Sequence, residues 1–291
     1  MFKFFSKKVQ PYTVSINSGV ECKESILNIL KVSFFELYNQ QLFLHRVSKV
    51  IFHICDNNEF SGKVYNEDLS YNQVKILISI RGFKDGTDLD KVKIQIKEIL
   101  NHEVTHVKHK FFSDEFNRIN KYSNRKIGKN ILNLGLSAID LKFKLDNLLS
   151  NCYIEGFARY YEKEWKYTVE QLVKIHDYNL NQVLYFKEIL LKGINEKSKI
   201  NKDEEKFMNN LAYELGLNMI YSILIANEKM TQKELFDLSF VKMFKLYEKS
   251  IKKINDKFNI NLKILFSYNS GNGIVDYSSF CKLIFDMKNI K

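Results

Sequence analysis

The pattern of apolar and polar positions changes at about residue 83. Before that point the chain mixes β-like runs with one helix, predicted over 24–41. The runs "PYTVSIN" (11–17), "KVIFHIC" (49–55) and "VKILISIRG" (74–82) are rich in β-branched and aromatic residues, which is typical of strands. In the last run, Lys75 and Ser79 interrupt the apolar positions, as they would in a partly exposed strand.

From residue 88 onwards nearly every segment has helical periodicity, and a last strand or turn unit is predicted over 262–277. The predicted helices cover 88–112, 128–148, 151–166, 167–194, 203–228 and 231–257. This pattern predicts an α+β protein. A small mixed α/β N-terminal subdomain (1–112) would have a mainly antiparallel-edged sheet and end in the helix 88–112. A larger all-helical C-terminal subdomain (113–291) would complete one catalytic domain.

The helix predicted over 88–112 is apolar on two sides. The segment "FKDGTDLD" (83–90) precedes it, with Gly86 for a turn and Thr87 or Asp88 as N-cap. Two lines of apolar residues run along its middle, namely Val92, Ile96 and Ile99, and Leu100, Val104 and Val107. A helix with two apolar sides is expected to be buried in the core.

Composition limits the functional classes. The 291 residues carry 45 Lys and Arg against 34 Asp and Glu, a formal charge of +11. The lysines are scattered, and no zinc-finger, RNP-like or helix-turn-helix pattern accompanies them, so we do not expect nucleic-acid binding. No apolar run reaches the roughly 18 residues of a membrane span.

The cysteines and the N-terminus favour a cytoplasmic protein. Cys22, Cys55, Cys152 and Cys281 are far apart and form no CxxC pair, so a reducing compartment is expected. The first residues, "MFKFFSKKVQ", contain too short an apolar stretch for a signal-peptide core. The sequence does not indicate an oligomeric state.

The segment "KEILNHEVTHVKHKFF" (97–112) carries the most specific chemistry in the chain. His102 and His106 are four residues apart on a helix, so their rings can converge on one ion. Glu103 lies about 100° around the helix from His102, beside the pair. The pattern His-Glu-x-x-His supplies two nitrogen ligands and a general base, which metal-assisted hydrolysis requires.

A catalytic zinc takes three protein ligands, so one more is needed. His109 is separated from His102 by about 10.5 Å of helix rise, too far for one ion, and it would border the site or face solvent. Glu155 is the better candidate, at the edge of an apolar stripe on the predicted helix 151–166. Gly156 follows it in mid-helix and suggests close packing there. The alternative is a surface ion pair between Glu155 and Arg159.

These residues resemble the gluzincins, the thermolysin-like zinc metallopeptidases, over roughly residues 74–222. The likeness rests on His102, Glu103 and His106, and on the segment "EGFARYY" (155–161). It implies a zincin-like fold with a minimal catalytic core. It also implies Zn²⁺ held by His102, His106 and Glu155, with Glu103 as general base and acid.

The resemblance also implies a substrate strand and a residue that stabilises the oxyanion. The strand 74–82 would be an edge strand that pairs with the substrate backbone, and the alternative is an ordinary strand of the sheet. Its substrate-binding residues would be Ile76, Ile78 and Ile80. A Tyr, His or Arg from the C-terminal part would face the oxyanion, and Tyr213 in the segment 212–222 is preferred. The other candidates are His176, Tyr221 and Arg159.

One position departs from the thermolysin pattern. Position 159 is Arg, where that family has an Asp that orients the first histidine. Asp140, Asp146, Asn151 or a backbone carbonyl could take over this task.

The sequence therefore predicts a zinc-dependent metallopeptidase, a hydrolase acting on a peptide or protein substrate. The alternative is a catalytically inactive metallopeptidase-like protein that binds or regulates. A basic nucleic-acid-binding protein with an accidental motif is a third possibility.

Overall fold

The computed structural model shows a predominantly helical protein with one main β-sheet, so the predicted α+β class is confirmed. It describes residues 12–16, 22–41, 44, 47, 49–57, 61–65, 73–83, 88–113, 136–162, 168–269 and 271–286. The chain divides into two compact units, Met1–Phe111 with Tyr161–Lys163, and Phe112–Tyr160 with Glu164–Lys291. The subdomain boundary predicted between residues 112 and 113 stays a prediction.

The first unit contains a four-stranded mixed sheet in the order β1-β2-β4-β3. Its strands are β1 (Tyr12–Ile16), β2 (Lys49–Cys55), β3 (Gly62–Tyr65) and β4 (Gln73–Ser79). β2 pairs in parallel with β1 and with β4, whereas β3 pairs antiparallel with β4. The sequence predicted three of these strands and missed β3, which is only four residues long.

The described residues of the first unit also form the helices α1 (Glu24–Gln40) and α2 (Leu89–Phe112). Their apolar faces share one core with the inward-facing residues of β2 and β4. The α2 residues in this core are Val92, Ile96, Leu100, Val104 and Val107. The Asp88 side chain accepts a hydrogen bond from the backbone N–H of Asp90 at 2.9 Å, as an N-cap does. Gly86 and Thr87 lie outside the described residues.

The position of β4 corrects the predicted substrate strand. β4 lies between β2 and β3, so it is not an edge strand. Its backbone groups are engaged in the sheet on both sides. Ile76 and Ile78 are each 1% exposed and belong to the core, and Ile80 packs partly against it. The expectation that this strand lies at the edge of the sheet is therefore wrong, because the unpredicted strand β3 pairs with its outer side. Substrate binding by the three isoleucines stays a prediction.

The second unit is mainly helical. Its helices are α3 (Leu136–Glu162), α4 (Val169–Glu196), α5 (Lys202–Ala226), α6 (Gln232–Phe236), α7 (Phe240–Phe258) and α8 (Tyr277–Asp286). The last two residues of α3 fall in the first unit. Before α8, the two-residue strands β5 (Phe266–Ser267) and β6 (Val275–Asp276) pair in parallel.

Two helix boundaries differ from the prediction. The helices predicted over 128–148 and 151–166 are one helix, α3, because Leu148, Leu149 and Cys152 are all buried and no breaker separates them. The helix predicted over 231–257 is instead two helices, α6 and α7. Ser239 starts α7 by accepting a hydrogen bond from Lys242 N at 3.4 Å. Residues 128–135 lie outside the described residues.

Two glycines allow α3 and α5 to cross at backbone contact. A Cβ atom added to Gly156 would lie 2.6 Å from the carbonyl carbon of Gly216. One added to Gly216 would lie 2.7 Å from Gly156 Cα and would overlap the carbonyl oxygen of Cys152. The close packing that the sequence predicted at Gly156 is confirmed, and its partner is another glycine.

Candidate metal centre

His102 and His106 converge on one side of α2. Their Nε2 atoms are 3.1 Å apart, and their ring planes are inclined by 79°. Nitrogen ligands about 2.1 Å from a tetrahedral ion lie about 3.4 Å apart, so the pair has nearly the spacing that one ion requires. Two histidines at i and i+4 produce this geometry because one helical turn brings their rings together.

Glu162, at the end of α3, contacts the other nitrogen of His102. Its Oε2 lies 3.4 Å from His102 Nδ1, and both side chains are 13% exposed. A carboxylate at Nδ1 fixes the ring so that Nε2 is presented to a metal, and it makes that nitrogen a stronger ligand. Asp140 and Asp146, two of the candidates for this task, have other partners, the Ile200 N–H and the Lys142 ammonium.

Glu103 is buried on α2, next to the outer strand of the sheet. It is 4% exposed. A Cβ atom added to Gly62 of β3 would lie 2.7 Å from Glu103 Oε1 and 2.7 Å from Ile99 Cγ2. β3 therefore crosses directly against the Glu103 carboxylate, and any larger residue at Gly62 would displace the side chains of Glu103 and Ile99.

Glu155 joins the two histidines in a cluster that could hold a metal ion. One nitrogen from each ring and one Glu155 oxygen all lie within 4.8 Å of one another. Two imidazole nitrogens and a carboxylate oxygen form a donor set that suits zinc and leaves a coordination position for another ligand. The described residues thus fit a metal ion, and the donor atoms alone do not define which one.

His109 does not belong to this cluster. It is fully buried at 0% exposure, so the prediction that it could face solvent is wrong. Its side of α2 faces the interior because the helix is apolar on two sides at this point, where Val104 and Val107 are also buried.

The four candidates for the oxyanion-stabilising residue have different surroundings. Tyr213 and Arg159 line the same cleft in the second unit. Tyr221 is 3% exposed, and burial raises the pKa of its hydroxyl. His176 is also buried, which lowers its pKa, and its Nε2 contacts the carbonyl oxygen of Lys263 at 2.7 Å. The contact of His176 with a backbone carbonyl gives it a structural role.

Sequence reasoning missed Glu162 and Gly62 as site residues. A signal for Glu162 was present, because it lies seven residues after Glu155, and seven residues return a helix to nearly the same face. Gly62 had no such signal. A small residue is needed there because β3 crosses α2, which is distant in the sequence.

Comparisons with known proteins leave the site geometry as the basis for assigning a function. Neither protein-family models, nor curated proteins, nor solved structures gave a match to this chain.

Among the described residues, no helix has the length and apolar character needed to cross a membrane.

Proposed function

We propose that this protein is a zinc-dependent metallopeptidase of the gluzincin type with a zincin-like fold. The observation that carries the proposal is the cluster of His102, His106 and Glu155, together with the buried Glu103 on the same helix as both histidines. A purely structural metal site would need the three ligands. It would not need the buried carboxylate of Glu103, which lies between the two histidines in the sequence.

The bound zinc ion would supply Lewis acidity towards the scissile carbonyl and towards a water molecule. Glu103 takes the proton from that water and later delivers it to the leaving amine, so it acts first as base and then as acid. Its burial keeps bulk water away from the carboxylate. Glu162 holds the His102 ring in the orientation needed for binding.

We assign the substrate backbone to β3 in place of β4. Among the described strands β3 lies at one edge of the sheet, so one row of its N–H and C=O groups points away from β4, on the side where an extended peptide would pair. Gly62 of β3 lies against Glu103, which would bring a peptide bound along this edge close to the general base.

Tyr213 remains our preferred residue for stabilising the oxyanion. A hydroxyl that donates a hydrogen bond to the oxygen that becomes negatively charged lowers the barrier to hydrolysis. Replacing Tyr213 with Phe is expected to reduce kcat by a factor of about 10²–10³ while zinc content is unchanged.

The alternative is a metallopeptidase-like protein that binds or regulates without cleaving. It would keep the metal cluster and have no use for Glu103. We propose a cytoplasmic location for either function, because all four cysteines are free thiols.

The proposal can be tested by measuring zinc and peptide cleavage in the same preparations. We expect about one zinc per chain in wild type by elemental mass spectrometry, and much less in Glu155→Ala. Glu103→Gln should keep its zinc and lose cleavage of a mixed peptide library. Zinc in wild type without any cleavage would favour the binding protein. Undiminished cleavage by Glu103→Gln would falsify the mechanism.

A further inference from the structure

The second unit contains an open cleft of about 480 Å³ between α3, α4 and α5. Binding sites for small groups commonly enclose roughly 300–1,000 Å³. The polar side chains that line the cleft are Arg159, Asn179, Gln182, Asn210, Tyr213 and Glu214. These groups lie beside apolar lining from Tyr178, Phe207 and Leu211, so the cleft offers both hydrogen-bonding groups and apolar surface.

Asn179 is the buried polar group of this cleft. Its side chain is 0% exposed, and its Nδ2 donates to the carbonyl oxygen of Glu214 at 3.2 Å. That contact fixes the orientation of the amide, because a carbonyl oxygen can only accept. Its Oδ1 is therefore an acceptor, and it has no hydrogen-bond partner among the described residues. A buried acceptor without a partner is costly, and an occupant that donates a hydrogen bond would remove that cost.

Arg159 supplies donors to the same cleft. One of its guanidinium nitrogens lies 3.5 Å from Glu214 Oε1, so the positive and negative charges of the cleft are balanced. A guanidinium group carries five N–H donors and can contact Glu214 and an occupant at the same time. The cleft thus combines a buried acceptor with a cationic donor and has little net charge.

The position of the cleft connects it with the metal cluster. Arg159 follows the candidate ligand Glu155 by four residues on α3, which is one turn of the helix. The crossing of Gly156 and Gly216 fixes α5, which carries Tyr213 and Glu214, against this part of α3. A group in the cleft would lie within about one helical turn of Glu155 along α3.

We propose that this cleft is a specificity subsite for a primary-amide side chain, glutamine or asparagine, of the substrate. The inference rests on the proposed peptidase function. The amide NH₂ of the substrate donates to Asn179 Oδ1, and its carbonyl oxygen accepts from Arg159. A substrate carboxylate would meet Asn179 Oδ1 and Glu214, and an ammonium group would meet Arg159, so both fit less well.

Four substrate residues of similar length test this pairing. Peptides that differ only in carrying Gln, Glu, Lys or Met at one position near the cleavage site are compared by kcat/KM, for each position in turn. We expect a preference for Gln of tenfold or more at one position. A preference for Glu would mean that Arg159 alone selects an anionic side chain. A preference for Lys would mean that Glu214 selects a cationic one. Either result, or no preference, overturns the proposal.

Two variants connect the preference with the cleft. Asn179→Leu removes the acceptor at nearly constant volume, and Arg159→Met removes the donors and keeps the aliphatic stem. Both should reduce the Gln preference at least tenfold, with zinc content and thermal unfolding close to wild type. Asn181→Ala, an exposed position two residues after Asn179 on α4, is the matched control and should keep the preference. Unchanged preference in both cleft variants would exclude this cleft.

A binding measurement separates this inference from the peptidase proposal. The Gln and Met peptides are titrated into the Glu103→Gln variant and followed by calorimetry. Tighter binding of the Gln peptide that is lost in the additional Asn179→Leu change would support the subsite even if wild type cleaves nothing. Cleavage without any Gln preference would leave the peptidase intact and remove the subsite. If the protein shows no cleavage and no Gln-dependent binding, both the peptidase proposal and the subsite proposal are overturned.

Discussion

The Glu162 carboxylate lies 3.4 Å from Nδ1 of His102, while the Nε2 of the same ring points towards His106. The two ring nitrogens of His102 thus have different neighbours, because one faces a carboxylate and the other faces the second histidine. The sequence places Arg at position 159, where thermolysin-like enzymes carry an orienting Asp. In this protein a glutamate on the same helix, one turn nearer its end, is in contact with the histidine.

Replacing Glu162 with Gln is expected to weaken metal binding by a factor of about 10–100, because the amide no longer strengthens the His102 ligand. Competition with a zinc chelator measures the change in Kd. Glu188→Gln, at an exposed position of α4, is the control for a charge change elsewhere. Equal zinc affinity in wild type and Glu162→Gln would contradict the role of Glu162.

Replacing Gly62 with Ala is expected to lower peptide cleavage strongly while leaving zinc content unchanged. The new Cβ would lie 2.7 Å from Glu103 Oε1, and this flexible carboxylate can move aside more easily than the backbone. Glu103, the proposed general base, would then leave its position, whereas His102 and His106 would keep theirs.

The control for Gly62→Ala is Gly82→Ala, because a Cβ at Gly82 has nothing within 4 Å. Steady-state kinetics of both variants decides the question. Full activity in Gly62→Ala would show that the contact with Glu103 does not matter for catalysis.

Replacing Gly216 with Ala is expected to destabilise the protein by about 1–3 kcal/mol or to prevent folding, because α3 and α5 would have to separate. The added Cβ would meet backbone atoms of Cys152 and Gly156, which cannot rotate away. Gly193→Ala is the comparison, since the three atoms nearest to its Cβ would all belong to the side chain of Leu141, which can adjust. Urea unfolding should rank Gly193→Ala as the milder change, and the reverse order would refute this explanation.

Replacing Asp276 with Asn is expected to destabilise the protein at neutral pH and to matter less in acid. Burial by itself raises the pKa of Asp276, but hydrogen bonds from Ser267, Ser279 and Gly271 outweigh it and lower the pKa. A carboxyl whose pKa is lower in the folded state contributes stability above its unfolded value of about 3.9. That contribution is lost as the pH falls through the folded pKa.

The measurement for Asp276 is the free energy of unfolding of wild type and Asp276→Asn in urea at pH 7 and pH 3. The difference between the two proteins should be larger at pH 7. The Ser267 hydroxyl donates to Asp276 Oδ2 at 2.5 Å, so Ser267→Ala should show a weaker change of the same sign. If the difference in free energy of unfolding between wild type and Asp276→Asn does not depend on pH, ionisation of Asp276 does not stabilise this loop.

Local patterns in the sequence were sufficient for most elements. The limits predicted for α1, β2 and α2 agree with the structure within about two residues, because each has strong periodicity or a clear run of β-branched residues. β3 was missed because four residues carry too little pattern. The break between α6 and α7 was missed because the Ser239 cap is a local signal inside a long helical pattern.

The sequence by itself determined that His102 and His106 share one face of a helix, with Glu103 beside them. Helical geometry alone requires this arrangement, because the three residues lie within two turns. The position of Glu155 at the edge of an apolar stripe, next to Gly156, also indicated it as a candidate third ligand, although many carboxylates could have been chosen on sequence grounds.

Only the tertiary structure decided which distant groups accompany those residues. The contacts of Glu162 with His102, of Gly62 with Glu103, and of Asn179 with the Glu214 carbonyl join positions that no helical or strand period relates. Such contacts depend on how whole elements pack, and packing depends on the shapes of many side chains at once. For this reason the sequence predicted the metal-binding motif, whereas the structure decided its surroundings.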